Sequence, residues 1–219
     1  IGHFDNCEYK NYDIENIKEF PKIITEIKGL RGLNVTIPYK EEIIPYLDKL
    51  SKTAKKIGAV NCITISKKKK LKGYNTDYHG FKKSIQPLLK EHHKKALILG
   101  TGGASKAIAY ALRNLKIEYD FVSRTADEFQ YKYEELDASI FEEYTIIINT
   151  TPVGTHPNVE ECPNLDYSLF TKKHIAYDLI YNPEETAFLK KAKAQGAVTK
   201  NGYEMLVLQA EKAWKIWNE

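Results

Sequence analysis

The chain has 219 residues, a length that suits one large or two modest domains. Hydrophobic residues make up 42% and charged residues 28%, a balance typical of globular proteins. The net charge is only +4 and the lysines are dispersed among acids, which argues against a nucleic-acid partner. No stretch approaches the roughly 20 apolar residues of a membrane span. Cys7, Cys62 and Cys162 are too few and too scattered for a disulfide framework or a zinc site. We therefore expect a cytoplasmic protein with no metal and no membrane partner.

The first third of the chain mixes short strands and helices. We predict a weak strand near Glu8–Tyr12, a helix at Ile14–Ile27 broken by Pro21, a strand at Gly32–Ile37, helical segments at Glu41–Leu50 and Ser51–Ile57, and a hairpin of Val60–Ser66 and Leu71–Tyr74. The lysine run Lys67–Lys70 suits an acidic partner, but we favour a solvated hairpin turn. A helix then runs from Asn75 to Leu89, with Thr76 or Asp77 as its cap or first turn.

The remaining chain alternates apolar strands with helices. The predicted strands are Ala96–Leu99, Tyr119–Val122, Thr145–Asn149, Ile175–Leu179 and Ala197–Thr199, and the helices are Ala104–Leu115, Glu184–Gln195 and Tyr203–Trp217. This alternation predicts an α/β fold with a doubly wound parallel sheet.

Lys40 follows the alternating segment LNVTI, which has the period of a half-buried strand. Pro38 cannot donate to a sheet ladder, so the strand should end there. Lys40 then lies just past a strand end, where α/β proteins place functional side chains. A solvated surface lysine is the alternative.

A glycine turn joins the strand ALIL to the helix that starts near Ala104. Gly100 would allow the tight turn, Gly102 would let the backbone approach a pyrophosphate, and the helix N-terminus offers unpaired N–H groups. Ser105 stands where the third glycine of this pattern is usual. The alternative of a simple turn is less favoured, because a buried strand precedes the glycines and a helix follows.

The tip of the next strand carries Ser123, Arg124 and Thr125 in place of the acid that an NAD enzyme uses for the ribose. Arg124 can pair with a 2′-phosphate, and the two hydroxyls can donate to it. These residues favour NADP over NAD, with an ordinary surface arginine as the alternative.

Lys40 and Asp77 each follow a strand outside the nucleotide half. Such a pair suits reduction of a ketone, because the oxygen gains negative charge as hydride arrives at carbon. Sequence spacing alone leaves open whether the two side chains meet.

The sequence resembles the shikimate dehydrogenase family over nearly the whole chain and in the family's order. The matching stretches are GLNVTIPYK, GAVNCI, YNTDYHGF, LGTGGASKAI, SRT, NTTPVG, YDLIYNP and NGYEMLVLQA. The resemblance implies NADPH-dependent, reversible reduction of 3-dehydroshikimate to shikimate. It also implies a smaller α/β substrate domain (residues 1–78 and 203–219) and a Rossmann-like NADP domain (residues 79–202), with a cleft between them.

The family's site residues carry over to matching positions. Lys40 and Asp77 match the catalytic pair. Thr36, Asn61, Tyr181 and Gln209 match substrate-binding positions. The positions that match the cofactor site are Gly100, Gly102, Gly103, Ala104, Ser123, Arg124, Thr125, Asn149, Thr150, Gly202 and Met205.

The chain departs from the family in three places. The family's first strand and its serine-x-serine motif do not precede Ile1. Either the sequence lacks an N-terminal segment, which we favour, or the protein is a divergent member with a different carboxylate site. Glu128, within the acidic stretch that starts at Ala126, would soften the NADP preference, and Cys62 replaces a usual threonine. The alternatives are a quinate/shikimate dehydrogenase using NAD and a non-catalytic nucleotide-binding sensor. We expect a monomer or a homodimer.

Overall fold

The computed structural model describes residues 7–125 and 127–219, which form two sheets flanked by helices. The strands are β1 Gly32–Asn34, β2 Lys49–Leu50, β3 Cys62–Ile65, β4 Leu71–Tyr74, β5 Lys95–Leu99, β6 Glu118–Val122, β7 Gln130–Tyr131, β8 Ile146–Asn149, β9 Ile175–Asp178 and β10 Val198–Lys200. The α-helices are α1 Phe20–Glu26, α2 Lys52–Ile57, α3 Asp77–Ile85, α4 Gly103–Asn114, α5 Ala138–Glu143, α6 Ala187–Ala194 and α7 Tyr203–Asn218. Short 3-10 helices cover Ile17–Glu19, Ile44–Tyr46, Gln86–Leu88, Tyr133–Glu135 and Tyr167–Leu169.

The smaller sheet has the strand order β1-β3-β4-β2, with β2 parallel to β4 and the other pairs antiparallel. The predicted hairpin of β3 and β4 is therefore confirmed. At its tip Lys70 pairs with Asp48 at 2.7 Å, and Lys67–Lys70 are exposed, as a solvated turn requires. The core beside this sheet contains Ile43 and Ile63, both almost fully buried.

The larger sheet has six parallel strands in the order β10-β9-β8-β5-β6-β7. This is the doubly wound arrangement: from β5 the chain first adds strands on the β6 side and then on the β8 side, which leaves a crevice at the carboxyl ends of β5 and β8. Ala96 and Ile98 of β5 join one core cluster, whereas Leu97 and Leu99 join the cluster on the opposite face. Burial on both faces explains the continuous apolar runs. The fold-class prediction is confirmed.

Helix α3 connects the two halves because it packs against both α7 and α4. Gly80 permits the close α3–α7 approach, since a Cβ there would lie 2.5 Å from the Met205 carbonyl oxygen. Near the other end of α3, the Ser84 hydroxyl lies 2.7 Å from the hydroxyl of the buried Tyr177 in β9. Helix α3 is thus held by α7, by α4 and by the Tyr177 side chain of β9.

Several predictions before α3 are wrong in detail. Residues 7–14 form no regular structure, so the strand at Glu8–Tyr12 is absent, and Tyr9 is 68% exposed. The first helix is shorter than predicted, with Pro21 in the first turn of α1, where its missing N–H is tolerated. The predicted strand Gly32–Ile37 ends at Asn34.

The segment Glu41–Leu50 contains a 3-10 turn and β2 instead of an α-helix, because Pro45 cannot donate the backbone bond that would continue one. Asp77 fills the first turn of α3, as predicted, but the Thr76 side chain does not cap the helix; Asn75 Oδ1 accepts the Tyr78 N–H at 3.3 Å instead. Strand β7 and helix α5 were not predicted. No helix in the described part of the chain is long and apolar enough to cross a membrane.

Candidate active site

Lys40 and Asp77 meet in space. The Lys40 Nζ lies 2.6 Å from Asp77 Oδ2, and their side chains are 14% and 9% exposed. The backbone carbonyl of Lys40 accepts the Val60 N–H at 2.7 Å, which ties the turn at residues 37–43 (the Lys40 turn) to the segment just before β3. Asp77 is the first residue of α3, where the helix dipole favours a carboxylate. The two side chains form a desolvated ion pair at one end of the smaller sheet.

Asn61 connects this pair to its surroundings. Its amide nitrogen donates to Asp77 Oδ1 at 2.8 Å, and its Oδ1 accepts the Thr76 N–H at 2.6 Å. The Thr76 hydroxyl lies 3.2 Å from Gln209 Oε1, which α7 brings from the end of the chain. Both oxygens of Asp77 therefore have a donor, and the carboxylate is fixed in orientation. Thr76 is a member of this network that the sequence suggested only as a helix cap.

Thr36 and Tyr181 lie outside the network. Thr36 is exposed in the turn before Lys40, and its carbonyl accepts the Tyr39 N–H at 3.0 Å. Tyr181 follows β9 and is 49% exposed. Within the described residues, neither side chain forms a hydrogen bond, so the structure does not join them to the Lys40–Asp77 pair.

The glycine turn lies between β5 and α4. Gly100 has φ +99°, a conformation that L side chains rarely adopt, and a Cβ there would lie 2.9 Å from Thr151 Cγ2. A Cβ on Gly102 would meet open space, whereas one on Gly103 would lie 3.2 Å from Lys40 Cβ. Gly102 precedes α4 without any side-chain cap, so the first N–H groups of the helix, including that of Ala104, are free to bind an anion.

The tip of β6 carries the predicted ribose-phosphate residues. The Thr125 N–H donates to Ser123 Oγ at 3.2 Å, which leaves the Ser123 proton available. Arg124 is exposed and lies near Tyr133; burial raises the pKa of that phenol, and the arginine partly opposes the rise. These groups fit a phosphate.

The two acidic residues that follow this phosphate site, Asp127 and Glu128, differ in their hydrogen bonding. Ala126 lies outside the described residues. The Asp127 carboxylate accepts from the Phe129 N–H at 3.0 Å and the Gln130 amide at 2.8 Å, whereas Glu128 is exposed. The Asp127 carboxylate is thus occupied by local hydrogen bonds, and Glu128 is the acid whose charge can act on a nearby phosphate.

Two further predicted segments border the crevice. Asn149 ends β8 and is fully buried, and its amide donates to Asp178 Oδ1 at 3.1 Å; its side chain thus supports the loop that begins at Thr150. Gly202 begins the turn into α7, where a Cβ would lie 2.0 Å from the Leu179 carbonyl oxygen. Met205 is 7% exposed in the core beside α3. Asp178, which was not predicted, accepts this hydrogen bond and so fixes the orientation of the Asn149 side chain.

This arrangement defines a dinucleotide-binding α/β protein in which a buried lysine–aspartate pair faces the phosphate-binding helix. Residues 3–63 match the family model described as the shikimate dehydrogenase substrate binding domain. The Methanosphaera stadtmanae protein named shikimate dehydrogenase (NADP(+)) is 40% identical over 97% of this chain and 82% of its own length.

Solved structures agree. A crystal structure of shikimate dehydrogenase from Aquifex aeolicus has a TM-score of 0.81 and 39% identity, covering 93% of this chain and 78% of its own. The Thermus thermophilus shikimate 5-dehydrogenase, solved with NADP(H) and shikimate, has a TM-score of 0.80 and 33% identity, covering 92% and 78%. The chain belongs to the shikimate dehydrogenase family.

Proposed function

We propose that the chain catalyses the reversible, NADPH-dependent reduction of 3-dehydroshikimate to shikimate, a step of aromatic amino-acid biosynthesis. The observation that carries this proposal is the buried Lys40–Asp77 pair. Lys40 Nζ lies 2.6 Å from Asp77 Oδ2, and Lys40 lies beside Gly103, the first residue of α4. Family membership supports the proposal, because relatives that are 40% identical over 91% or more of the chain bear the name of that activity.

The chain's own residues supply the proton chemistry. NADPH, when bound, supplies the hydride. The Lys40 ammonium offers a positive charge and N–H donors to the substrate oxygen, and it gives that oxygen a proton as the hydroxyl forms. Asp77 fixes the ammonium through Oδ2, and its remaining lone pairs can accept a substrate hydroxyl. In the oxidation direction Lys40 takes the proton back.

The substrate's polar groups would be bound by Thr36, Asn61, Tyr181 and Gln209. Asn61 and Gln209 belong to the network around Asp77, which supports a place for them at the reacting hydroxyls. Thr36 and Tyr181 are exposed and have unpaired hydroxyls in the described chain, so they are available to a ligand.

The cofactor would lie across the carboxyl ends of β5, β6 and β8. Gly100, Gly102, Gly103 and Ala104 would hold the pyrophosphate, and Ser123, Arg124 and Thr125 the 2′-phosphate. Asn149, Thr150, Gly202 and Met205 would border the nicotinamide side. The open space at Gly102 and the uncapped N-terminus of α4 support this assignment.

We also assign residues 1–78 and 203–219 to the substrate domain and residues 79–202 to the cofactor domain. This division keeps the smaller sheet with α7 and the larger sheet with α4. We further propose that the enzyme is cytoplasmic and acts as a monomer or a homodimer on a small-molecule substrate.

One observation favours a second candidate, a quinate/shikimate dehydrogenase that uses NAD. Glu128 is exposed and lies four residues beyond Arg124, where its charge would repel a 2′-phosphate. Turnover of quinate with NAD+ would select this candidate over the first.

The first test follows NADPH formation from shikimate and NADP+, with quinate and NAD+ as comparators. We expect turnover with shikimate and NADP+, and a loss of about 10²- to 10⁴-fold in Lys40→Ala. Lys95→Ala is the matched control, because Lys95 is also ion-paired, with Glu143 at 2.5 Å, but at the start of β5 away from the site. Binding of NADP+ without turnover of either acid would contradict the proposal, as would full activity in a folded Lys40→Ala variant.

A further inference from the structure

Glu41, the neighbour of Lys40, reaches across to the glycine helix. Its Oε2 lies 2.5 Å from the Nζ of Lys106, the fourth residue of α4, and the two side chains are 42% and 40% exposed. The Glu41–Lys106 bridge therefore joins the turn that carries the lysine of the active-site pair to the helix that carries the phosphate-binding turn.

The two segments are in close contact at this point. A Cβ on Gly103 would lie 3.2 Å from Lys40 Cβ and 3.6 Å from Glu41 Oε1. Within the Lys40 turn, Ile43 is 1% exposed and its N–H donates to the Tyr39 carbonyl at 3.0 Å. Ile43 thus anchors one end of the turn in the core beside the smaller sheet. Glu41 attaches the turn to α4 through Lys106.

The charges indicate that the contact is more than an incidental surface pair. A lysine in the first turn of a helix is disfavoured by the helix dipole, so Lys106 needs a carboxylate to offset it. A glutamate beside an anion-binding turn is disfavoured as well, so Glu41 needs a cation. Each residue compensates the other only while the Lys40 turn lies against α4. Both side chains remain partly exposed to water.

We propose that the Glu41–Lys106 bridge is a positioning device that holds Lys40 at its working distance from the bound cofactor when the cleft is closed. The proposal rests on the function proposed above. Glu41 and Lys106 act through Lys40 and are positioning residues, with no part in proton transfer. A change in the bridge should alter the rate of the chemical step more than the binding of either ligand.

Glu41→Gln separates this role from simple electrostatics. If Glu41 only repelled the cofactor's phosphates, the variant would bind NADP+ more tightly and keep its kcat. If the bridge positions Lys40, kcat should fall by about 10- to 100-fold while KM for shikimate changes less than about twofold. The double variant Glu41→Gln with Lys106→Gln should lose no more than the larger single loss, because both changes break one contact. The reversed pair, Glu41→Lys with Lys106→Glu, should recover most of the lost kcat.

Hydrogen exchange of the backbone amides in residues 39–44 gives a second readout that needs no substrate. We expect faster exchange there in Glu41→Gln, with and without NADP+, and no change in Glu143→Gln, which breaks the comparable Lys95 pair elsewhere. Unchanged exchange in Glu41→Gln, or additive losses in the double variant, would overturn the proposal. An inactive wild type would refute the proposed function, whereas the exchange result would still decide whether the bridge holds the turn.

Discussion

Asp178 is a buried carboxylate whose ionisation should make the stability of the fold depend on pH. It ends β9 with no exposed surface, and its carboxylate accepts three hydrogen bonds. Oδ1 accepts from Asn149 and from the Ile180 N–H, each at 3.1 Å, and Oδ2 accepts from the Thr186 hydroxyl at 2.6 Å. Burial raises the pKa of Asp178 from 3.8 to about 6, although the three donors oppose the rise.

The sign of the effect on stability follows from linkage. A carboxyl whose pKa is raised by folding favours the folded state when it is protonated. Its contribution is complete below the unfolded pKa of 3.8 and is lost as the pH rises through about 6. The shift is about two units, which corresponds to about 3 kcal/mol of unfolding free energy.

Asp178→Asn should remove this dependence. The new amide can accept from Asn149 and Ile180 through its oxygen and donate to Thr186, whose hydroxyl can accept. Urea denaturation at several pH values should show the variant gaining about 3 kcal/mol relative to wild type between about pH 4 and pH 7.

The control for this experiment is Asp166→Asn. Asp166 is exposed, and hydrogen bonds from Ser168 lower its pKa, so the variant should lose stability relative to wild type as the pH rises. If the difference between Asp178→Asn and wild type were the same at every pH, Asp178 would ionise in the fold as it does in the unfolded chain. The argument from burial would then be wrong.

Three more outcomes are expected. Gly100→Ala should abolish NADP+ binding and lower the melting temperature, because its φ of +99° and the contact with Thr151 exclude a Cβ. Arg124→Ala should raise KM for NADP+ about tenfold or more and leave KM for NAD+ nearly unchanged, as steady-state kinetics with both cofactors would show. In the Asp178→Asn denaturation series, stability should still fall below about pH 6.5, since burial lowers the pKa of His93 and His174; a flat acid limb would contradict this.

The larger sheet was the most predictable part of the molecule, because each central strand is buried on both faces. Segments such as Ala96–Leu99 and Ile146–Asn149 carry continuous apolar runs that fit few other structures. The glycine turn was predictable for a related reason, since the positive φ at Gly100 limits the residues that can occupy it. Local chemistry determines the structure in both cases.

The short elements were less predictable because tertiary contacts define them. Strand β2 has two residues, Lys49–Leu50, and exists only by pairing with β4; the apolar spacing around it resembled a helix. Strand β7, Gln130–Tyr131, depends in the same way on its position beside β6. Such segments have too few residues to show a period.

The geometry of the site lay beyond sequence reasoning for a further reason. Lys40 and Asp77 are separated by 37 positions, and Asn61 and Gln209 by 148, so only the pairing of β3 with β4 and the return of α7 bring them together. Residue types could indicate a proton-transfer pair. They could not indicate that Asn61 holds the second oxygen of Asp77.

Helix α3 fixes one member of the active-site pair. Asp77 begins this helix, and α3 packs against both α7 and α4, so the carboxylate keeps a fixed relation to the glycine turn. Lys40 is held by separate contacts: its carbonyl accepts the Val60 N–H, Ile43 in the same turn is buried, and Glu41 pairs with Lys106. The two members of the pair are therefore positioned by different elements of the fold, Asp77 by α3 and Lys40 by its own turn. The 2.6 Å distance between them depends on both sets of contacts, so a change in either set should disturb proton transfer.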